Sequence, residues 1–262
     1  MNVSDKLQVI AENVSNVHEA GYLKGYTEGG ILGYDQGYGE GVHFGRSKVW
    51  DAIQDSGKRT NYSSAFTYES WDSDTFQPKN NIKPITALSM FHMTSCSDAT
   101  KAIDLIKLKE ETGFAFDFSE CTTLGYAFAS RVCFKTIDEV DMRKCTTTGS
   151  ASYAFYGGYG GGNTLKEIKK IICDENTQFN STTFNYLAFL EEIRFEGTIG
   201  KTGITFASSK YLSYESLMSI VNALKDFSGT GTTMSITLGT ENLAKLTDAE
   251  KAKATQKGWS LT

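Results

Sequence analysis

The sequence predicts an α+β chain in three parts: an N-terminal helical stalk, a solenoid of irregular repeats, and an α/β cap at the C-terminus. Three observations predict it. Glycine recurs at every fourth residue from Gly21 to Gly45, short isoleucine-bearing pieces recur through the body, and the residues from about 211 onward stop repeating. With 262 residues, 40% hydrophobic and 22% charged, the chain can bury a sizeable core. A net charge of −5 gives no basic face for nucleic acid. No apolar run approaches the roughly 20 residues that span a bilayer, and MNVSDKLQVIAENV is amphipathic where a signal peptide is continuously apolar. The expectation is a protein made in a cytoplasm, without membrane insertion.

The stalk covers residues 1–46. Ser4 can cap a first helix in which Leu7, Ile10, Val14 and Val17 follow a 3-4-3 spacing, the a and d positions of two heptads. Such a helix alone is marginal in water and needs a partner. Gly21, Gly25, Gly29, Gly33, Gly37, Gly41 and Gly45 follow without a break. Each glycine costs a helix roughly 0.8–1 kcal/mol relative to alanine, so seven oppose an isolated helix by about 6–7 kcal/mol. A flexible tether or a closely packed stripe remain as readings. The kept phase, with Tyr22, Tyr26, Tyr34 and Tyr38 between the glycines, favours packing of the small-xxx-small kind. A period of four drifts about 40° per step on a helix of 3.6 residues per turn, which favours right-handed crossings or several neighbours. These eleven positions are the predicted oligomerisation residues of a homo-oligomer, with a trimer favoured.

Residues 47–90 read as an aromatic-rich connector. Trp50 anchors its start, and Pro78 and Pro84, the two prolines of the chain, punctuate its end. The body is 91–262. FKTIDEVDM (134–142), LKEIKKIIC (165–173), FLEEIRFEG (189–197) and, more faintly, AIDLIKLKE (102–110) read as strands, one per unit, and the long connector TTTGSASYAFYGGYGGGNT reads as an insertion on one face. In the cap, Ser213 can open a helix bearing Leu217, Ile220, Val221 and Leu224. SGTGTTMSITLGT reads as a glycine turn and a strand, and Thr247 with Glu250 forms a capping box opening a helix that Gly258 ends.

LSYESLMSIVNALKDFSGTGTTMSITLGTENLAKLTDAEKAKATQKGWSL resembles the C-terminal segment of BspA-like leucine-rich repeat proteins of gut bacteria and their prophages. LKEIKKIICDENTQFNSTTFNYLAFLEEIRFEGTIG resembles their irregular repeats. KLQVIAENVSNVHEAG and WDAIQDSGKRTNYSSAF resemble the opening of the subset encoded among prophage structural genes. The resemblance implies a leucine-rich repeat body and a virion-associated protein of the tail or baseplate, a non-enzymatic appendage or receptor-contacting fibre tip. Its partners would be other tail proteins and a host surface glycan or protein. The alternative is a bacterial surface adhesin or effector of the same repeat class.

No catalytic, metal or cofactor site is expected. His18, His43 and His92 lie far apart in sequence, and an acid–base constellation for a hydrolase is lacking. Cys121 and Cys145 recur after 24 residues as core positions, without CxxC spacing. Asp72 and Asp74 are not followed by the glycine and distal glutamate of a calcium loop, and YGGYGGGNT is not followed by the Lys-Ser/Thr of a phosphate loop. The candidate surface-contact loop is Tyr153, Phe155, Tyr156 and Tyr159, rigid aromatics among glycine and serine; the blander alternative, an ordinary loop packed on the repeats, is the default reading of such residues.

Overall fold

In the predicted strand pieces, branched and aromatic residues alternate with charges, which suits a pleated surface with one dry face. The computed structural model describes residues 61–262 except 64, 67–70, 79, 97, 131–132 and 159–163. Leu7, Ile10, Val14, Val17, the glycine series from Gly21 to Gly45, Trp50 and Tyr159 therefore lie outside the described residues. The described residues belong to one compact unit, Thr60–Thr262.

Strands β1 (Ile103–Asp104), β2 (Phe134–Asp141), β3 (Glu167–Cys173) and β4 (Glu192–Gly197) form a parallel sheet in chain order. The register pairs Ile137 with Ile168 and Ile168 with Ile193, so the three isoleucines form one inward row, each at most 1% exposed. Outward, Lys169 meets Asp138 at 3.1 Å, and Lys170 meets Glu139 at 2.6 Å and Glu196 at 3.3 Å. The two Lys170 pairs are open to solvent and contribute at most about 1 kcal/mol each. AIDLIKLKE departs from the strand expectation. After the two residues of β1 it becomes helix α1 (Leu105–Thr112), because the Asp104 carboxylate accepts from the Lys107 N–H and Gly113, at φ +77°, ends the helix in the left-handed region.

A second hydrogen-bonded ladder runs through the segments between strands. Ala87, Ser89, Phe91 and Met93 donate to the carbonyls of Thr123, Gly125, Ala127 and Ala129. Leu124, Tyr126, Phe128 and Ser130 donate in turn to Ser150, Ser152, Ala154 and Tyr156, and Phe155 and Gly157 to Thr183 and Asn185. Each segment is a chain of tight turns. Ala87–Met90, Phe91–Thr94, Leu124–Ala127, Thr147–Ser150 and Ala151–Ala154 all close by an N–H to carbonyl bond across four residues. Their third residues, Ser89, Met93, Tyr126, Gly149 and Tyr153, have φ between 55° and 85°, the type II signature. The expected insertion is thus in part a regular course: residues 150–157 bond to the segments before and after them.

Between the two ladders lies a column of phenylalanines. Phe66, Phe91, Phe128, Phe155, Phe184 and Phe206 stack in succession at centroid separations of 4.8, 5.7, 5.6, 5.3 and 5.0 Å, each at most 2% exposed. Burying each ring stabilises by up to about 3 kcal/mol, and each stacked pair adds about 0.5–1.5 kcal/mol. The column also corrects the connector. Residues 61–90 are the first courses of the body: Tyr62 donates to Thr86, Phe66 to Met90 and Trp71 to Ser95, and Phe66 opens the stack.

Buried thiols line the same interior. Cys121 and Cys145 are fully buried, with the Cys145 Sγ 3.6 Å from the Cys121 carbonyl oxygen. Burial pushes the Cys121 thiol up to about 11 and those of Cys133, Cys145 and Cys173 to about 12, against 9.0 ordinarily. Above pH 9 the unfolded chain releases these protons and the folded chain keeps them, so stability falls as pH rises from about 9 towards 12. Each thiol contributes a slope of up to about 1.4 kcal/mol per pH unit. Urea melts at pH 8, 9 and 10 are expected to show this fall, and replacing the four cysteines with alanine is expected to flatten it.

The cap comprises β5 (Ile204–Thr205), helix α2 (Tyr214–Ala223), β6 (Met234–Thr237), α3 (Thr240–Leu243), α4 (Asp248–Gln256) and β7 (Trp259–Leu261), with β5, β6 and β7 in a second parallel sheet. Ser213 caps α2, the Thr247–Glu250 box opens α4, and Gly258 follows α4 at φ +81°, as the sequence predicts. Helix α2 also seals the open edge of β4. The Ile193 N–H donates to Ser216 Oγ at 2.9 Å and the Phe195 N–H to Ser219 Oγ at 2.8 Å. An exposed parallel edge is a template for unwanted pairing, and these serines occupy it. Ser216→Ala with Ser219→Ala leaves two strand donors without acceptors. The expected cost is about 1–3 kcal/mol per donor, read as a lowered urea midpoint, with the Ser213 cap of α2 intact.

Candidate functional site: an aromatic column on the turn ribbon

Each segment turns sharply at a left-handed residue, so side chains two apart point to opposite faces, and the YAF triplets at 126–128 and 153–155 send tyrosine one way and phenylalanine the other. Phe128 and Phe155 enter the buried stack; Tyr126 and Tyr153 stay half-exposed. FNY at 184–186 repeats the arrangement in reverse, with Phe184 buried and Tyr186 half-exposed. Of the predicted contact residues, Tyr153 and Tyr156 lie on this outer face. Phe155 does not: it is fully buried between Phe128 and Phe184, and an apolar ring of that size belongs to the core.

The outer rings form a column of their own. His92 lies 5.3 Å from Tyr126, Tyr126 stacks on Tyr153 at 4.5 Å and 12°, Tyr156 stands 5.1 Å from Tyr153 at 76°, and Tyr186 stands 5.3 Å from Tyr156 at 81°. Tyr156 is therefore turned almost edge-on to both neighbours. Exposed Leu88 and Met93 flank the N-terminal end, and a Cβ added at Gly125 would meet Leu88 Cδ1 at 3.0 Å, so glycine leaves room for Leu88 to lie down.

The backbone beneath is strained. Tyr126, Tyr153 and Tyr186 have φ of 57°, 58° and 61°, a region that costs a bulky residue about 1–2 kcal/mol and that turns normally give to glycine or asparagine. A polar clamp holds Tyr153 there. Its N–H donates to Thr182 Oγ1 at 3.1 Å, Thr182 Oγ1 donates to Asn180 Oδ1 at 2.7 Å, and Asn180 Nδ2 donates to Ser152 Oγ at 2.7 Å. Strain of this kind persists where surroundings overdetermine it, and it fixes the ring direction before any partner arrives. His92, partly buried against Tyr126, has its pKa lowered by desolvation and so stays neutral further into acid.

Sequence reasoning missed Tyr126, Tyr186 and His92. The available signal was the repeated YAF triplet, with tyrosine and phenylalanine two apart in both copies. Elsewhere, a cleft of about 460 Å³ beside β7 is lined by Leu243, Lys251, Thr255 and Trp259, without an acid–base pair in its lining. Among the described residues there is no group of three or more His, Cys, Asp and Glu that could hold a metal ion, and no helix long and apolar enough to cross a membrane. No family model, curated protein or solved structure matches this chain.

Proposed function

We propose that this chain is a non-enzymatic structural and recognition protein of a bacteriophage or phage-like particle, a tail or baseplate appendage. In this reading the body is an irregular leucine-rich repeat solenoid, one strand and one turn ribbon per coil, closed by the C-terminal cap. The N-terminal segment self-associates and docks on the particle, and the turn ribbon faces outward. The observation that carries the recognition role is the tyrosine column. A protein that needed only stability would place glycine or asparagine at those left-handed turn positions, whereas here rigid aromatic rings are held there at a backbone cost and left half-exposed. The particle itself is supported by the resemblance of the N-terminal and C-terminal segments.

Particles purified on a density gradient test the assignment. The protein is expected to co-sediment with them in fixed ratio to the major tail protein; recovery only in the free protein fraction would overturn it. Removing residues 1–46 is expected to convert an oligomer into a monomer by light scattering. A full-length chain that is monomeric at high concentration contradicts self-association.

A further inference from the structure

We infer that the turn ribbon binds an uncharged polysaccharide chain along its aromatic column. This rests on the recognition role proposed above and names the ligand class. The first observation is a segregation of charge. Segments 84–97, 121–130, 145–158 and 176–190, which carry the ribbon, contain no Asp, Glu, Lys or Arg in a chain that is 22% charged. None of the ion pairs described involves a residue of these segments; they lie on the strands, helices and corners.

A ligand for such a face brings no charge that needs a partner. About a quarter of the residues of an ordinary protein are charged, and a protein partner laid along four charge-free segments would leave several of those charges desolvated and unpaired. A polyanion is disfavoured for the same reason: nothing on the ribbon neutralises it. An uncharged sugar polymer offers C–H faces for aromatic rings and hydroxyls for hydroxyl and amide groups, unit after unit.

The second observation is that the ribbon repeats in the same manner. Its outer rings meet from one segment to the next at 4.5–5.3 Å, and Tyr153 and Tyr156 stand side by side within one segment, with Tyr156 turned about 80° to its neighbours. Beside them stand Ser152, Asn180, Thr182 and Asn185, which both donate and accept hydrogen bonds. Left-handed backbone and mutual stacking orient the rings beforehand, so little ordering remains to oppose binding. Stacked repeats place these groups along one extended surface, the form that suits a linear polymer.

The test is electrophoresis of the full chain through native gels containing yeast mannan, guar galactomannan, laminarin or, as the anionic comparison, alginate. Retardation by at least one of the three neutral polymers is expected, weakened at least tenfold by Tyr153→Asn with Tyr156→Ser. Asparagine suits the left-handed turn, so the double variant is expected to melt within a few degrees of the parent. Should it lose its melting transition, Tyr186→Ser at the end of the column decides, with at least a threefold weakening expected. No retardation by the neutral polymers, retardation by alginate alone, or retardation unchanged in the deciding variant would overturn the inference. Co-sedimentation with particles is scored separately, so either conclusion can fail while the other stands.

Discussion

Phe155→Ala is expected to lower the free energy of unfolding by about 3–5 kcal/mol, measured by urea denaturation of the body. The ring is fully buried in the middle of the phenylalanine column, nearly parallel to Phe128 at 1° and to Phe184 at 3°. Its removal opens a cavity whose floor and ceiling are flat rings, held in place by hydrogen bonds on both sides of the course, so collapse around it is limited. A domain is stable by only about 5–15 kcal/mol, so the loss is a large share of the total. Two residues earlier, Tyr153→Asn is expected to change stability by no more than about 1 kcal/mol: a half-exposed stacking contact is lost while the left-handed turn is relieved. The contrast between neighbours of similar size separates the core role of one from the surface role of the other.

Gly197→Ala is expected to destabilise by at least about 3 kcal/mol, or to prevent folding of the cap onto the sheet. Gly197 ends β4 at φ +108°, and a Cβ built there would lie 1.9 Å from the Cys173 carbonyl oxygen and 3.1 Å from its carbonyl carbon. The obstacle is backbone of the paired strand β3, which cannot rotate away as a side chain can. Adding one methyl group therefore forces β3 and β4 apart where their pairing ends, on top of the backbone strain of a non-glycine residue. Gly113→Ala gives the comparison: its φ of +77° carries similar strain, but nothing lies within 4 Å of the added carbon, so about 1 kcal/mol is expected. Thermal melts of the two variants measure the difference.

These features were unequally legible in the sequence. Strands β2, β3 and β4 could be read because isoleucine and charge recur in register, and the cap helices because Ser213, Thr247 and Glu250 announce their own hydrogen bonds. Short-range chemistry of that kind is visible without the fold. The turn ribbon was hidden because, Gly149 and Gly158 apart, its left-handed positions hold tyrosine, serine and methionine in place of the glycine and asparagine that advertise such turns. Uneven course lengths hid the phenylalanine column: its members at 66, 91, 128, 155, 184 and 206 are joined by no constant period. Residues 61–90 read as a connector because they lack the isoleucine strand, although their turns and Phe66 already belong to the stack. Helix α1 was read as strand because Ile103, Leu105, Ile106 and Leu108 satisfy either period, and the Asp104 cap and Gly113 stop decided between them.

Fold and surface both depend on one register, in which each ribbon lies against the next so that phenylalanines stack inward and tyrosines outward. Double-mutant cycles with leucine at Phe128, Phe155 and Phe184 test it most directly. Coupling of about 0.5–1.5 kcal/mol is expected for Phe128 with Phe155 and for Phe155 with Phe184, and close to zero for Phe128 with Phe184, which are separated by the middle ring. Equal coupling for all three pairs, or none for the two adjacent ones, would contradict the stacked arrangement and with it the outward tyrosine column.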